Sequence, residues 1–83
     1  MTDKSKLHKE KIDNGEGNIG FVTDSSNLYS DPDADSSMVG CVRSGEQVLV
    51  CLDEDLKDWL YILNSYGVYG YCNREAISIL ERI

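Results

Sequence analysis

The sequence has little of several things that common protein classes need. It is 83 residues long, with one proline, one histidine and one tryptophan, so it supplies one small domain at most. No segment approaches the ~20 apolar residues that cross a bilayer. Residues 1–8 also lack the apolar core of a secretory signal. We therefore expect no membrane insertion, and either a free-standing cytoplasmic protein or a module of a longer exported chain.

The three cysteines, Cys41, Cys51 and Cys72, form an odd set without Cys-x-x-Cys spacing. Small secreted domains held by disulfides normally carry an even number. We therefore expect buried free thiols in a reducing compartment, which favours a cytoplasmic location. A zinc site needs closely spaced ligands, whereas these cysteines lie ten and twenty-one positions apart.

Catalysis and metal binding are disfavoured by the same scarcity of ligands. The single histidine, His8, lies in a segment predicted below to be disordered, so no Cys–His pair is preorganised. The spacing Asp31-x-Asp33-x-Asp35 is like the start of an EF-hand loop. That loop requires glycine at its sixth position and glutamate at its twelfth, where this chain has Ser36 and Val42. We therefore predict a non-enzyme without metal or cofactor.

Basic residues are outnumbered by acidic ones, 8 to 15, and the net charge is −7. Residues 1–18 hold four of each sign, so the whole net charge falls on residues 19–83. Such a field repels nucleic acid and steers a basic partner toward the domain. Solubility alone also explains an acidic surface, and both alternatives stay open.

The chain changes character at residue 19. Residues 1–18 are charged, poor in large apolar side chains and end in Asn-Gly-Glu-Gly-Asn, which predicts a disordered leader or linker. Residues 19–83 contain short β-branched and aromatic runs separated by turn formers. They predict an all-β domain of short strands.

Two segments carry specific expectations about pairing. Met38–Val42 and Gln47–Leu52 are joined across a glycine-containing turn, which predicts a hairpin. The segment from Leu52 to Leu63 has apolar residues at helical spacing and Asp53 as a possible helix cap. Helix and strand are almost equally supported there, and we favour a strand because the neighbouring strands need a partner.

Several motifs occur in an order typical of one family. Asn27, Leu28, Ser30 and Pro32 precede Met38-Val39-Gly40 and the turn at Arg43-Ser44-Gly45. Trp59 and Tyr61 follow, and Gly67, Gly70 and Tyr71 close the series. In this order the chain resembles bacterial SH3 (Src homology 3-like) domains over about residues 19–80. The resemblance implies a small SH3-like barrel of five to seven short antiparallel strands.

The resemblance also implies a non-catalytic module that binds short peptides, most commonly of the cell wall, beside its long first loop. The implied groove is lined by Tyr29, Asp31, Asp33, Trp59 and Tyr69. Aromatic side chains supply rigid contact area, and carboxylates favour the amines of peptidoglycan stems. The alternative is a small acidic intracellular protein that binds or inhibits a basic partner surface. The first alternative implies a cell-wall or extracellular location, and the second implies the cytoplasm.

Overall fold

The computed structural model describes residues 4–80, which form one α-helix and seven short strands. The helix, α1, spans Lys4–Asp13. The strands are β1 (Asn18–Val22), β2 (Ser26–Tyr29), β3 (Met38–Val42), β4 (Gln47–Cys51), β5 (Trp59–Leu63), β6 (Tyr69–Asn73) and β7 (Ile77–Ile79).

All seven strands belong to one antiparallel sheet in the order β3-β2-β6-β5-β4-β1-β7. The short strands and the single sheet wrapped around one core give a small, barrel-like, all-β fold, as the sequence predicts. No helix among residues 4–80 is long and apolar enough to span a membrane.

The hairpin predicted between β3 and β4 is wrong. β3 pairs with β2, and β4 pairs with β1 and β5. The turn between them is bonded to the end of β1 instead. The Gly45 amide donates to the Val22 carbonyl at 2.7 Å, and the Val22 amide donates to the Glu46 carbonyl at 2.9 Å. A short glycine-containing connection therefore forms a corner of the barrel here, which its local sequence does not distinguish from a hairpin.

The ambiguous segment after β4 resolves in favour of the strand. Trp59–Leu63 is β5, which pairs with β4 and β6. Only Glu54–Leu56 is helical, as a single 3-10 turn whose N-cap is Asp53. The apolar residues at helical spacing are therefore divided between a turn and a strand, because two flanking strands satisfy the backbone of β5.

Both faces of β5 and β6 are covered. Leu60, Ile62 and Cys72 point into the interior core cluster and are fully buried. Tyr61 and Tyr71 point outward, yet they are only 4% and 2% exposed. Strands that are buried on both faces have nearly continuous apolar sequences, as these two have. A second layer must therefore cover the outer face.

Helix α1 is that second layer, which corrects the prediction of a disordered leader. His8 and Ile12, one helical turn apart, are 3% and 5% exposed and pack on the outer face. Composition favoured disorder because α1 has few apolar residues, but contacts with the sheet supply what the helix lacks. Residues 1–3 of the predicted leader and residues 81–83 of the predicted domain lie outside the described residues.

Candidate peptide-binding face

The outer surface of β2, β5 and β6 is a continuous aromatic face. Residues directly opposite each other on paired strands share a face of the sheet. Tyr71 is opposite Tyr29 on one side and Tyr61 on the other. The aromatic face comprises Tyr29, Trp59, Tyr61, Tyr69 and Tyr71.

Tyr29 and Trp59 form a contact pair at one end of the aromatic face. Their ring centroids lie 5.7 Å apart at an interplanar angle of 88°, an edge-to-face arrangement. Both side chains are half-buried, so each ring is fixed by packing while part of its surface stays accessible. The structure thus brings together two of the five site residues that the sequence predicts.

Asp31 and Asp33 lie in the exposed loop that follows Tyr29. Asp33 Oδ1 accepts a hydrogen bond from the Asp35 amide at 2.9 Å, which orders the loop. Ser36 Oγ lies 2.6 Å from the Asp33 carbonyl oxygen and donates to it. The loop is therefore a folded turn with exposed carboxylates beside the Tyr29 end of the face.

Tyr69 lies on the aromatic face but interacts with α1 rather than with Tyr29 and Trp59. Its hydroxyl donates to an Asp13 carboxylate oxygen, which raises the pKa of Tyr69 above its usual range. Lys9 Nζ lies 5.0 Å from the ring centroid in a cation–π contact. The ring also stacks on Tyr61, with centroids 6.1 Å apart. Tyr69 therefore forms part of the surface on which α1 packs.

His8 is the functional candidate that sequence reasoning missed. His8 Nδ1 is hydrogen-bonded to Tyr71 Oη at 2.9 Å, and Nε2 to Asp53 Oδ2 at 2.8 Å. Its ring also lies 5.4 Å from that of Tyr61. These contacts anchor α1 on the aromatic face. The sequence signal for this contact was indirect. Two strands that are apolar on both faces need a second layer over the outer face, and the segment of α1 was the part of the chain that remained to form it.

Asp53 has two roles where α1 meets the 3-10 turn. Its Oδ1 accepts from the Asp55 amide at 3.0 Å and so caps the 3-10 turn, while Oδ2 bonds His8. The hydrogen bond from His8, aided by that from Asp55, holds the pKa of the Asp53 carboxyl below its usual range. The folded state therefore prefers Asp53 ionised, and the ionised carboxylate stabilises the docked helix more than the protonated carboxyl does.

We expect α1 to loosen in acid before the sheet does. A carboxylate whose pKa is lowered on folding contributes stability above its unfolded pKa of ~3.9 and loses it as the pH falls through the folded pKa. The amide shifts of α1, followed by NMR from pH 5 to pH 2, should therefore change mainly below about pH 4.

Asp53→Asn is the comparison variant: its one side-chain oxygen can still cap the turn, its amide nitrogen replaces the oxygen that faces His8, and position 53 no longer titrates. Lys11 and Asp55 remain as charged neighbours. The acid change in α1 should shrink in this variant. An unchanged transition would assign it to a group other than Asp53.

The two buried cysteines are not poised to act as nucleophiles. Cys51 and Cys72 are buried, as expected, whereas Cys41 is exposed, and all three are free. Burial raises the pKa of Cys72 to about 12 and also raises that of Cys51. Both thiols therefore stay protonated near neutral pH, where the thiolate is the nucleophile. Among residues 4–80 no three metal-ligating side chains converge on one point.

Comparisons with known proteins give one partial similarity. The chain is 35% identical over 52 residues to Dipeptidyl-peptidase 6 of Lysinibacillus sphaericus. The matched segment covers 63% of this chain and 19% of that protein, so the chain spans about a fifth of its curated relative's length. No protein-family model matches the chain, and no solved structure matches it.

Proposed function

We propose that this chain is a non-catalytic module of the bacterial SH3 type that binds short peptides, in particular those of the cell wall. The observation that carries the proposal is the contact between Tyr29 and Trp59 beside an acidic loop. Two half-buried rings give a rigid apolar platform, and exposed carboxylates beside it attract ligand amines. Asp31 and Asp33 supply those carboxylates, and the aromatic face continues from the platform toward Tyr69.

Two further observations support this proposal. A small all-β barrel-like fold offers loops and a strand surface rather than the walled cleft that catalysis needs. The partial similarity to a protein named Dipeptidyl-peptidase 6 connects the chain with a protein whose name denotes action on peptides. A segment matching 19% of that protein suits an accessory module that holds a peptide.

The concentration of charge supports a second candidate. The net charge of −7 falls on residues 19–83, which suits a protein that binds a basic partner surface inside the cell. In that case the contact surface is the acidic exterior rather than the aromatic face. Titration with a cell-wall digest then leaves the amide shifts of a folded protein unchanged.

The test is an NMR titration of the isotope-labelled protein with a soluble peptidoglycan digest. Amide shifts should cluster at Tyr29, the loop 30–37 and Trp59. Replacing Tyr29 with alanine should weaken binding about fivefold or more, because truncating an anchoring aromatic costs more than ~1 kcal/mol. The melting temperature should change little, since the ring is only half-buried.

Tyr66→Ala is the matched control, because Tyr66 is 79% exposed and lies outside the aromatic face. It should bind the digest like the parent protein. Equal weakening in both tyrosine variants would remove Tyr29 from the site. Loss of fold in Tyr29→Ala would assign that ring a structural role.

A further inference from the structure

Helix α1 packs on β4 and β5, and few of its described side chains are buried. Its buried side chains are His8 and Ile12, while Leu7 on the same helix is 50% exposed. Lys9 and Asp13 add contacts at its edge, both to Tyr69. Two buried side chains, four residues apart, thus anchor a helix of ten residues.

Such a helix is stabilised by the surface on which it packs, which we call the seat, rather than by its intrinsic helix stability. Isolated helices shorter than about 12–15 residues are marginal in water, and α1 has ten. The strands beneath it are joined to one another by continuous ladders and share the interior core. Elements with few buried contacts open locally at lower free energy than the core. Undocking of α1 is therefore separable from unfolding of the sheet.

The seat has a definite chemistry. Tyr61, Tyr69 and Tyr71 form an aromatic trough, in which His8 lies against Tyr61 and Tyr71. Ile12 belongs to the same buried cluster, which also contains Cys51 and Leu56. Asp53 lies at the edge of the trough and bonds the imidazole, forming an ion pair when His8 is protonated. The trough therefore accepts an aliphatic side chain and, one helical turn away, a cationic or hydrogen-bond-donating group.

The seat is continuous with the Tyr29–Trp59 platform and open at one side. Tyr71 neighbours Tyr29 across one strand pair and Tyr61 across the other. A cavity of about 330 Å³ lies beside the helix, with His8, Lys11 and Asp53 in its wall. The seat therefore borders the platform at Tyr71 and the open cavity at His8 and Asp53.

From this arrangement we infer that α1 covers part of the peptide site and that a bound peptide displaces it. The side chains that α1 places there then indicate the chemistry of that peptide. That ligand is a peptide carrying a cationic amine about 5–6 Å from an aliphatic side chain. Its amine takes the place of His8 at Asp53, and its aliphatic group takes that of Ile12. This inference rests on the proposed peptide-binding function. The net charge of −7 favours a cationic ligand over an anionic one.

The first measurement needs no ligand. Hydrogen exchange of the full chain should show the α1 amides exchanging faster than those of β5, which reports local opening. Ile12→Ala should accelerate exchange in α1 and leave β5 nearly unchanged. Leu7→Ala, an exposed aliphatic truncation on the same helix, should alter neither. Exchange of the α1 and β5 amides at one common rate would contradict the inference that α1 opens separately from the sheet.

The second measurement titrates the same three proteins with a soluble peptidoglycan digest. Apparent affinity is reduced by the fraction of molecules in which the site is covered. If the docked helix dominates in the parent protein, Ile12→Ala should bind about ten-fold more tightly or better, whereas Leu7→Ala should bind like the parent. A digest whose amines have been acetylated should lose this gain, because it no longer pairs with Asp53.

The outcomes separate the inference from the function on which it rests. Tighter binding by Ile12→Ala, with faster α1 exchange in the parent protein on adding digest, supports both. Equal binding by all three proteins overturns the displacement by α1 and leaves peptide binding intact. Binding by none, including Ile12→Ala, overturns peptide binding of this class together with the inferred ligand.

Discussion

Tyr71→Ala should lower the free energy of unfolding by about 3–5 kcal/mol, the usual cost of truncating a buried aromatic side chain. Tyr71 is 2% exposed and belongs to the outer cluster, the buried group formed by Ile12, Cys51, Leu56, Tyr61 and Tyr71. Its ring centroid is 4.9 Å from that of Tyr61 and 5.8 Å from that of His8. Truncation therefore opens a cavity between the sheet and α1 and removes a hydrogen-bond partner of His8. Urea denaturation monitored by circular dichroism measures the change.

Two variants make this prediction specific. Tyr66→Ala removes an exposed tyrosine and should change stability by less than about 0.5 kcal/mol. Tyr71→Phe keeps the packing and removes only the hydroxyl that bonds His8 Nδ1. Leaving a buried polar atom without that bond costs about 1–3 kcal/mol, and the loss should appear as faster exchange in α1. A Tyr71→Ala protein as stable as Tyr66→Ala would show that the outer cluster contributes little to folding.

Strands with clear local signals could be predicted from sequence. Tyr69–Asn73 has two tyrosines and is bounded by turn formers, so composition and turn chemistry suffice there. Trp59–Leu63 was almost equally compatible with a helix, and only the need of the neighbouring strands for a partner favoured a strand. Pairing could not be predicted as well. The corner after β3 depends on hydrogen bonds that join Val22 to Gly45 and to Glu46, more than twenty positions away, and no local pattern encodes them.

The candidate site was predicted only in part, because some of its contacts also join residues that are distant in the sequence. Tyr29 and Trp59 were grouped through the family resemblance, and the sheet register brings their rings into contact. His8 was assigned to a disordered segment because α1 has weak helical patterning of its own. Its helical state depends on Tyr71 and Asp53, each more than forty positions away. The apolar outer faces of β5 and β6 are the sequence feature that indicates such a cover.

Trp59→Ala should reduce affinity for a soluble peptidoglycan digest by about thirty-fold, which corresponds to the ~2 kcal/mol typical of an anchoring tryptophan. The ring is half-buried, packs against the outer cluster and meets Tyr29 edge to face. Its removal takes away ligand contact area and frees Tyr29 to rotate. Stability should fall less than in Tyr71→Ala, by about 1–2 kcal/mol, because part of the ring is already solvated. Calorimetric titration of the folded variant measures the affinity.

Trp59→Phe separates the ligand contact from the packing role. Phenylalanine can still meet the Tyr29 ring edge to face, an arrangement worth about 0.5–1.5 kcal/mol, but it offers less surface to a ligand. We expect stability near that of the parent protein and an intermediate affinity. If Trp59→Ala instead loses as much stability as Tyr71→Ala and binds the digest unchanged while folded, the ring belongs to the core. The peptide site would then lie in the α1 seat alone, where Ile12→Ala reports on it independently of Trp59.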